Sequence, residues 1–133
     1  MSHSDTIFET AKKVFNHSYS PYSKFKVSAA VLTENGTIYG GVNVENSSYG
    51  ATVCAERVAI LKAISEGNKK IKEIVVLTDN DKPWPPCGMC LQVLSEFASN
   101  DTKIFVGNLN GIQNTYTFNQ LVTEAFTPDY LKK

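Results

Sequence analysis

The chain has 133 residues, 42% of them hydrophobic, and its 13 Lys and Arg side chains balance 13 Asp and Glu to a formal charge of zero. That length suggests one domain, residues 1–133, with a single small core. The charge balance and the lack of a Lys/Arg-rich run exclude the electrostatic footprint of a nucleic-acid binder, and no apolar run approaches the ~20 residues of a membrane-spanning helix.

The first ten residues, MSHSDTIFET, carry no charged-then-apolar signal pattern, so a cytoplasmic location is expected. Residues 4–17 read as a helix with Ser4 as its N-cap and Ile7, Ala11, Val14 and Phe15 near one face. Pro21 stops any continuation. Two β-rich runs, near 26–33 and 37–44, flank Glu34-Asn35-Gly36, and Asn-Gly between such runs predicts an antiparallel hairpin. Residues 54–66 read as a helix with Val58, Leu61 and Ile64 on the inward stripe and Gly67 just past its end.

IKEIVVLT, residues 71–78, reads as a buried strand. A Pro-rich loop leads into a helix from Cys87 to Ala98, with Val93, Leu94 and Phe97 on its apolar side. Residues 103–118 hold two strands around Asn108–Gly111, a link too short for a crossover, so a second hairpin is expected. Residues 118–125 look like a short helix, and 126–133 form a tail. The order α-β-β-α-β-α-β-β-α predicts an α/β protein, a three-layer α/β/α sandwich around a mixed five-stranded sheet.

Three cysteines, Cys54, Cys87 and Cys90, fit a disulfide framework poorly because their number is odd. Both middle helices begin at these cysteines. In a crossover sheet such helix starts gather at one edge, where ligands bind. Cys87 and Cys90 are spaced i, i+3 and share a helix face, so a third thiol from the neighbouring helix completes three corners of a tetrahedron. Zinc suits that geometry, with its fourth position left open to water. Three thiolates and Zn²⁺ sum to one negative charge, which two helix N-termini and Arg57, the only arginine, offset.

Glu56 lies two residues past Cys54 and is free to act as a proton carrier rather than a ligand. Read alone, it is a first-turn glutamate complementing a helix dipole. Read alone, Cys54 is a small buried hydrophobe.

Cys-Ala-Glu at 54–56 with Pro-Cys-Gly-Met-Cys at 86–90 resembles the zinc-dependent nucleoside deaminases. NVEN upstream of CAE, the stretch from YSPYSKF to SSYG, and the tail EAFTPDYL narrow this to a resemblance to small homotetrameric cytidine deaminases over roughly residues 5–131. The resemblance implies hydrolytic deamination of cytidine and 2′-deoxycytidine, a Zn²⁺ cofactor, a homotetramer and a place in pyrimidine salvage. It matches Phe25 to the ring that stacks on the pyrimidine, Asn43 and Glu45 to the side chains that hold the ribose, and Ala55 to a backbone contact with the base. It matches Ser47, Tyr49 and Phe126 to residues that reach a neighbouring subunit's site.

Without the resemblance, Phe25 reads equally as a core aromatic, Asn43 and Glu45 as one solvated strand face, and Phe126 as tail packing. One departure stands out: many relatives place an arginine directly after the last cysteine, where this chain has Leu91. A less compensated metal centre is the expected consequence. Three alternatives stay open: a deaminase for a related cytosine compound, a structural zinc module, and a thiol redox protein using Cys87 and Cys90.

Overall fold

The computed structural model describes residues 3–132. Its elements in chain order are α1 (His3–Val14), β1 (Val27–Thr33), β2 (Ile38–Val42), α2 (Ala55–Ser65), β3 (Ile71–Thr78), α3 (Gly88–Ser95), β4 (Lys103–Asn108), β5 (Gly111–Thr117) and α4 (Phe118–Leu121). The strands form one sheet in the order β2-β1-β3-β4-β5. Only β3 and β4 pair in parallel; the other neighbours are antiparallel. The sheet is therefore mixed and five-stranded, as the element order predicts.

Both hairpins form. Gly36 sits at φ 90°, the backbone that Asn-Gly turns demand, and Leu32 pairs with Ile38 across it. Asn108 pairs with Gly111 at the second turn. β1 is buried at nearly every position, and β3 over its last five, because the sheet is covered on both faces.

The two faces carry two cores, and the period of two sorts residues between them. Ile7 and Ala11 of α1 pack with Ala30, Leu32, Val75, Leu77 and Phe105 on one face. On the other, α2 and α3 pack through Ala59, Ile60, Ala63 and Leu94 against Ala29, Val31, Ile74, Ile104 and Val106. Each fully buried Ile or Leu contributes about 1.5–3 kcal/mol relative to exposure.

Four boundaries differ from expectation. α1 already includes His3, so Ser4 lies inside the helix rather than capping it. Phe15–His17 tighten into a 3-10 turn. α3 ends at Ser95, where Phe97 folds back and its carbonyl accepts from the Ile71 amide at 2.8 Å. α4 is a single turn, closed by a capping box between Thr117 and Gln120, and the tail holds a 3-10 turn at Pro128–Leu131.

The inward stripe of α2 is the largest correction. Leu61 is 50% exposed and Val58 half-buried; of the expected stripe Ile64 packs, partly buried, against the core, while Ala55, Glu56, Ala59, Ile60 and Ala63 are buried. Apolar residues surround this helix, so its own pattern leaves the phase open. Contact with β2 decides it: the Cβ-free Gly41 lies against the helix backbone at Ala55 and Ala59, and the face turned inward carries the small side chains of Ala55, Ala59 and Ala63. At 100° per residue, position 56 falls nearly opposite the 58/61/64 stripe. The observed phase therefore buries Glu56 instead of exposing it.

Candidate metal centre and substrate cleft

β2 and β3 both run antiparallel to β1, so their C-terminal ends meet the start of β1 at one edge of the sheet. Phe25 precedes β1, Asn43 and Glu45 follow β2, and Thr78 ends β3. α2 and α3 start at the same edge, with Cys54 and Cys87 as their N-caps. A strap fixes the approach to Cys54. Val44 and Val53 exchange backbone hydrogen bonds at 2.9 and 3.0 Å, and Tyr19 and the flanking residues Asn43 and Glu45 exchange two more.

The Sγ atoms of Cys54, Cys87 and Cys90 all lie within 4.8 Å of one another. Cys54 and Cys87 are 3.9 Å apart, Cys87 and Cys90 3.4 Å. Tetrahedral ligation with Zn–S of about 2.3 Å sets sulfurs about 3.8 Å apart, so the three thiols fit zinc. They bring three ligands and, among the described residues, no fourth His, Cys, Asp or Glu joins the group.

The electrostatics favour one thiolate before any cation arrives. A hydrogen bond from Cys90, and then Arg57 and Cys87, hold the Cys54 thiol down at about 5. The same sharing with Cys54, together with burial, pushes Cys90 well up. The charge rests on Cys54 because Cys90 donates to it, and Arg57 Nη2 adds a further hydrogen bond to its Sγ at 3.7 Å. A cation bound here displaces the remaining protons.

Glu56 is 5% exposed, and burial lifts its carboxyl to about 7. Its backbone hydrogen bond pulls the other way, while the Cys54 charge raises it further. A carboxyl poised near neutrality can both take and give a proton.

Phe25, Asn43, Glu45, Cys54, Ala55, Glu56 and Cys87 line one cavity of about 250 Å³. Cys90 and Arg57 are not part of that lining; Cys90 is buried, and Arg57 reaches the Cys54 sulfur. Ser47, Tyr49 and Phe126 do not line it. Ser47 is exposed, and Tyr49 is 79% exposed in an adjoining hollow shared with Ser23 and Glu45. Phe126 stacks on Tyr130 at 5.9 Å, and its carbonyl accepts from Gln92 of α3 at 2.9 Å. A larger cavity of about 710 Å³, around Lys69, Lys70 and Phe97, sits at the opposite end of β3 and holds no part of this chemistry.

Asn43 and Glu45 do share a face. Asn43 Oδ1 accepts from Ser18 Oγ and from the Val27 amide, and Nδ2 donates to the Phe25 carbonyl at 2.9 Å. One N–H of Asn43 remains for a ligand. Glu45 accepts from the Tyr22 and Ser23 amides at 3.1 and 3.0 Å and from Ser23 Oγ, which draws its carboxyl below the ordinary value. Lys24, held at φ 64°, turns the chain so that Phe25 faces the cleft.

Ser23, Val27, Thr52, Val76, Thr78, Trp84 and Pro85 complete the lining, and no site role for them is read from the sequence. Trp84 carried a signal: the only tryptophan, set between two prolines just before Cys87. Thr52 and Thr78 carried none.

Three thiols at two helix starts, with a buried carboxyl beside them at the strand edge of an α/β sandwich, define the class of a zinc-type hydrolytic centre. The comparisons agree. The profile described as "Cytidine and deoxycytidylate deaminase zinc-binding region" matches residues 1–107. A cytidine deaminase of Halalkalibacterium halodurans is 47% identical, covering 84% of each chain. One from Sporosarcina psychrophila is 42% identical over 96% of this chain and 93% of that one. The crystal structure of cytidine deaminase from Burkholderia pseudomallei superposes with a TM-score of 0.87 at 36% identity, covering 95% of this chain and all of that one. The chain belongs to the cytidine and deoxycytidylate deaminase family, a zinc-binding family.

Proposed function

We propose that this chain catalyses the zinc-dependent hydrolytic deamination of cytidine and 2′-deoxycytidine, giving uridine or 2′-deoxyuridine and ammonia. The observation that carries the reading is the buried Glu56 beside three converging thiols in a cavity that Phe25, Asn43 and Glu45 also line. Zinc, held by Cys54, Cys87 and Cys90, supplies Lewis-acid chemistry that makes water acidic enough to react near neutrality.

The chain's own groups do the rest. Phe25 offers a ring face to the pyrimidine. Glu45, with the free N–H of Asn43, pairs with the ribose hydroxyls, which both donate and accept. The Ala55 backbone contacts the base. Glu56 takes a proton from the attacking water and delivers it to N3 as the C4–O bond forms. It then carries the second proton to the amine, which leaves as ammonia as the C4–N bond breaks. Arg57 holds the Cys54 sulfur in place and offsets its charge.

Residues 1–133 act as one domain in this reading, in the cytoplasm, within pyrimidine salvage. The protein works as a homotetramer in which Ser47, Tyr49 and Phe126 serve a neighbouring copy's cleft. Their exposure and their absence from the lining of their own cleft support that assignment. Among the described residues no helix is long and apolar enough to cross a membrane. A second reading, a related cytosine compound as substrate, draws on a Bacillus cereus blasticidin-S deaminase that is 31% identical over 79% of each chain.

The test is ammonia release from cytidine with and without a zinc chelator, alongside cytosine, 2′-deoxycytidine, dCMP and blasticidin S. Release from the two nucleosides, abolished by the chelator and restored by zinc, is the expected result. Full activity in metal-free protein, or turnover confined to another compound, overturns it.

A further inference from the structure

Trp84 and Phe25 meet edge to face, with ring centroids 5.0 Å apart and planes at 60°. Both rings are partly wet, at 38% and 50% exposure, so burial alone does not hold them. The indole is tethered instead. With the Asn80 amide in the orientation that satisfies both of its atoms, its Oδ1 accepts from Trp84 Nε1 at 2.9 Å. Its Nδ2 donates to the Asp79 carbonyl at 2.9 Å, and Asn108 Nδ2 donates to the Asn80 carbonyl at 3.1 Å. Pro83 and Pro85 restrict the backbone on either side.

This anchored pair stands between two spaces. One is the 250 Å³ cleft that holds Glu56 and the thiols. The other, of about 400 Å³, is lined by Phe15, Asn16, Lys26 and Leu109. Phe25, Thr78 and Trp84 line both. Of these three, Trp84 brings the largest side chain, and a wall of that kind sets a size limit on whatever lies against it.

We propose that Trp84 is a specificity-determining residue: it closes the base subsite against the neighbouring cavity and so excludes pyrimidine nucleosides with bulky substituents on the ring or its exocyclic nitrogen. This rests on the reading of the cleft as a cytidine site. Removing the indole takes away the largest part of the partition that Phe25, Thr78 and Trp84 share and gives such a substituent room to go. Trp84→Phe keeps an aromatic wall and retains the limit.

The experiment compares kcat/KM for cytidine, 5-methylcytidine, 5-iodocytidine and N4-methylcytidine in the zinc-loaded wild type, Trp84→Ala and Trp84→Phe. A general loss of structure lowers every rate alike; loss of the wall changes the ratios. In Trp84→Ala the ratio of at least one substituted nucleoside to cytidine rises by about tenfold, the discrimination that a methylene-sized difference commands in an apolar pocket. In Trp84→Phe the ratios stay near the wild type. Unchanged ratios in Trp84→Ala overturn the inference whatever the absolute rate on cytidine; the reading beneath it is tested separately by cytidine turnover in the wild type.

A second measurement covers the case in which Trp84→Ala does not fold. Trp84 is the sole tryptophan, so wild-type indole emission reports on this wall alone. Titration with uridine, the product, gives a saturable change in that emission. A flat titration at uridine concentrations that inhibit cytidine turnover overturns the inference.

Discussion

Gly41 and Ala59 touch backbone to backbone: a Cβ at position 41 would come within 2.6 Å of the Ala59 nitrogen and 2.9 Å of the Ala55 carbonyl oxygen. α2 starts at Cys54 and carries Glu56, so this contact sets both the depth and the rotation of the helix that serves the site. Gly41→Ala forces the helix outward. It is expected to cost about 1–3 kcal/mol, the range for overpacking a tight interior, and to lower the zinc content of purified protein. Urea denaturation and metal analysis check this; wild-type values for both would show that the helix is not held there.

Glu56→Gln keeps the size and much of the hydrogen bonding of the carboxyl but cannot carry protons. It is expected to retain zinc and the wild-type circular dichroism while kcat falls by about 10²- to 10⁴-fold. Near-normal turnover would remove Glu56 from the proton-carrying role.

Glu45 gives a pH signature. Hydrogen bonds from Ser23 and Tyr22 stabilise its charged form, so its folded pKa lies below the ordinary 4.5 that the unfolded chain keeps. Its contribution to stability is complete above 4.5 and disappears as pH falls through 4.5 to the folded value. Glu45→Gln is therefore expected to have a lower urea midpoint than the wild type at neutral pH, with the gap closing well below 4.5. A gap independent of pH would mean that the charge of Glu45 is not what Ser23 and Tyr22 hold.

Leu91 follows the last cysteine and packs, partly buried, against the core that α2 and α3 share. Arg57 is the cation found against a cysteine sulfur. Leu91→Arg is expected to tighten zinc binding and shift the pH–rate profile to lower pH, at some loss of packing. Unchanged zinc affinity and pH profile would show that Arg57 and the helix ends already balance the centre.

Much of the site was legible because its signals are local. The i, i+3 thiols, the carboxylate two residues past Cys54 and the alternation of Asn43 with Glu45 just after β2 each depend on a spacing of two or three residues. What stays hidden in the sequence depends on contacts between elements. Asn43 lines the cleft, and its hydrogen bonds to Ser18, Val27 and Phe25, which no local spacing announces, also hold the surrounding chain in place. Trp84 reads as a loop residue until its ring meets Phe25.

The sequence by itself determined the element order, both hairpins, the mixed sheet and the three sulfurs at two helix starts, because turn chemistry, period-two burial and short spacings are written within a few neighbouring residues. The tertiary structure alone decided how α2 is rotated, and with it that Glu56 is buried and Leu61 is not. It also brought Cys54 within 3.9 Å of Cys87, 33 positions away. A helix apolar on every side has no preferred face of its own; the surface it packs against selects one, and here that surface is the bare backbone of Gly41.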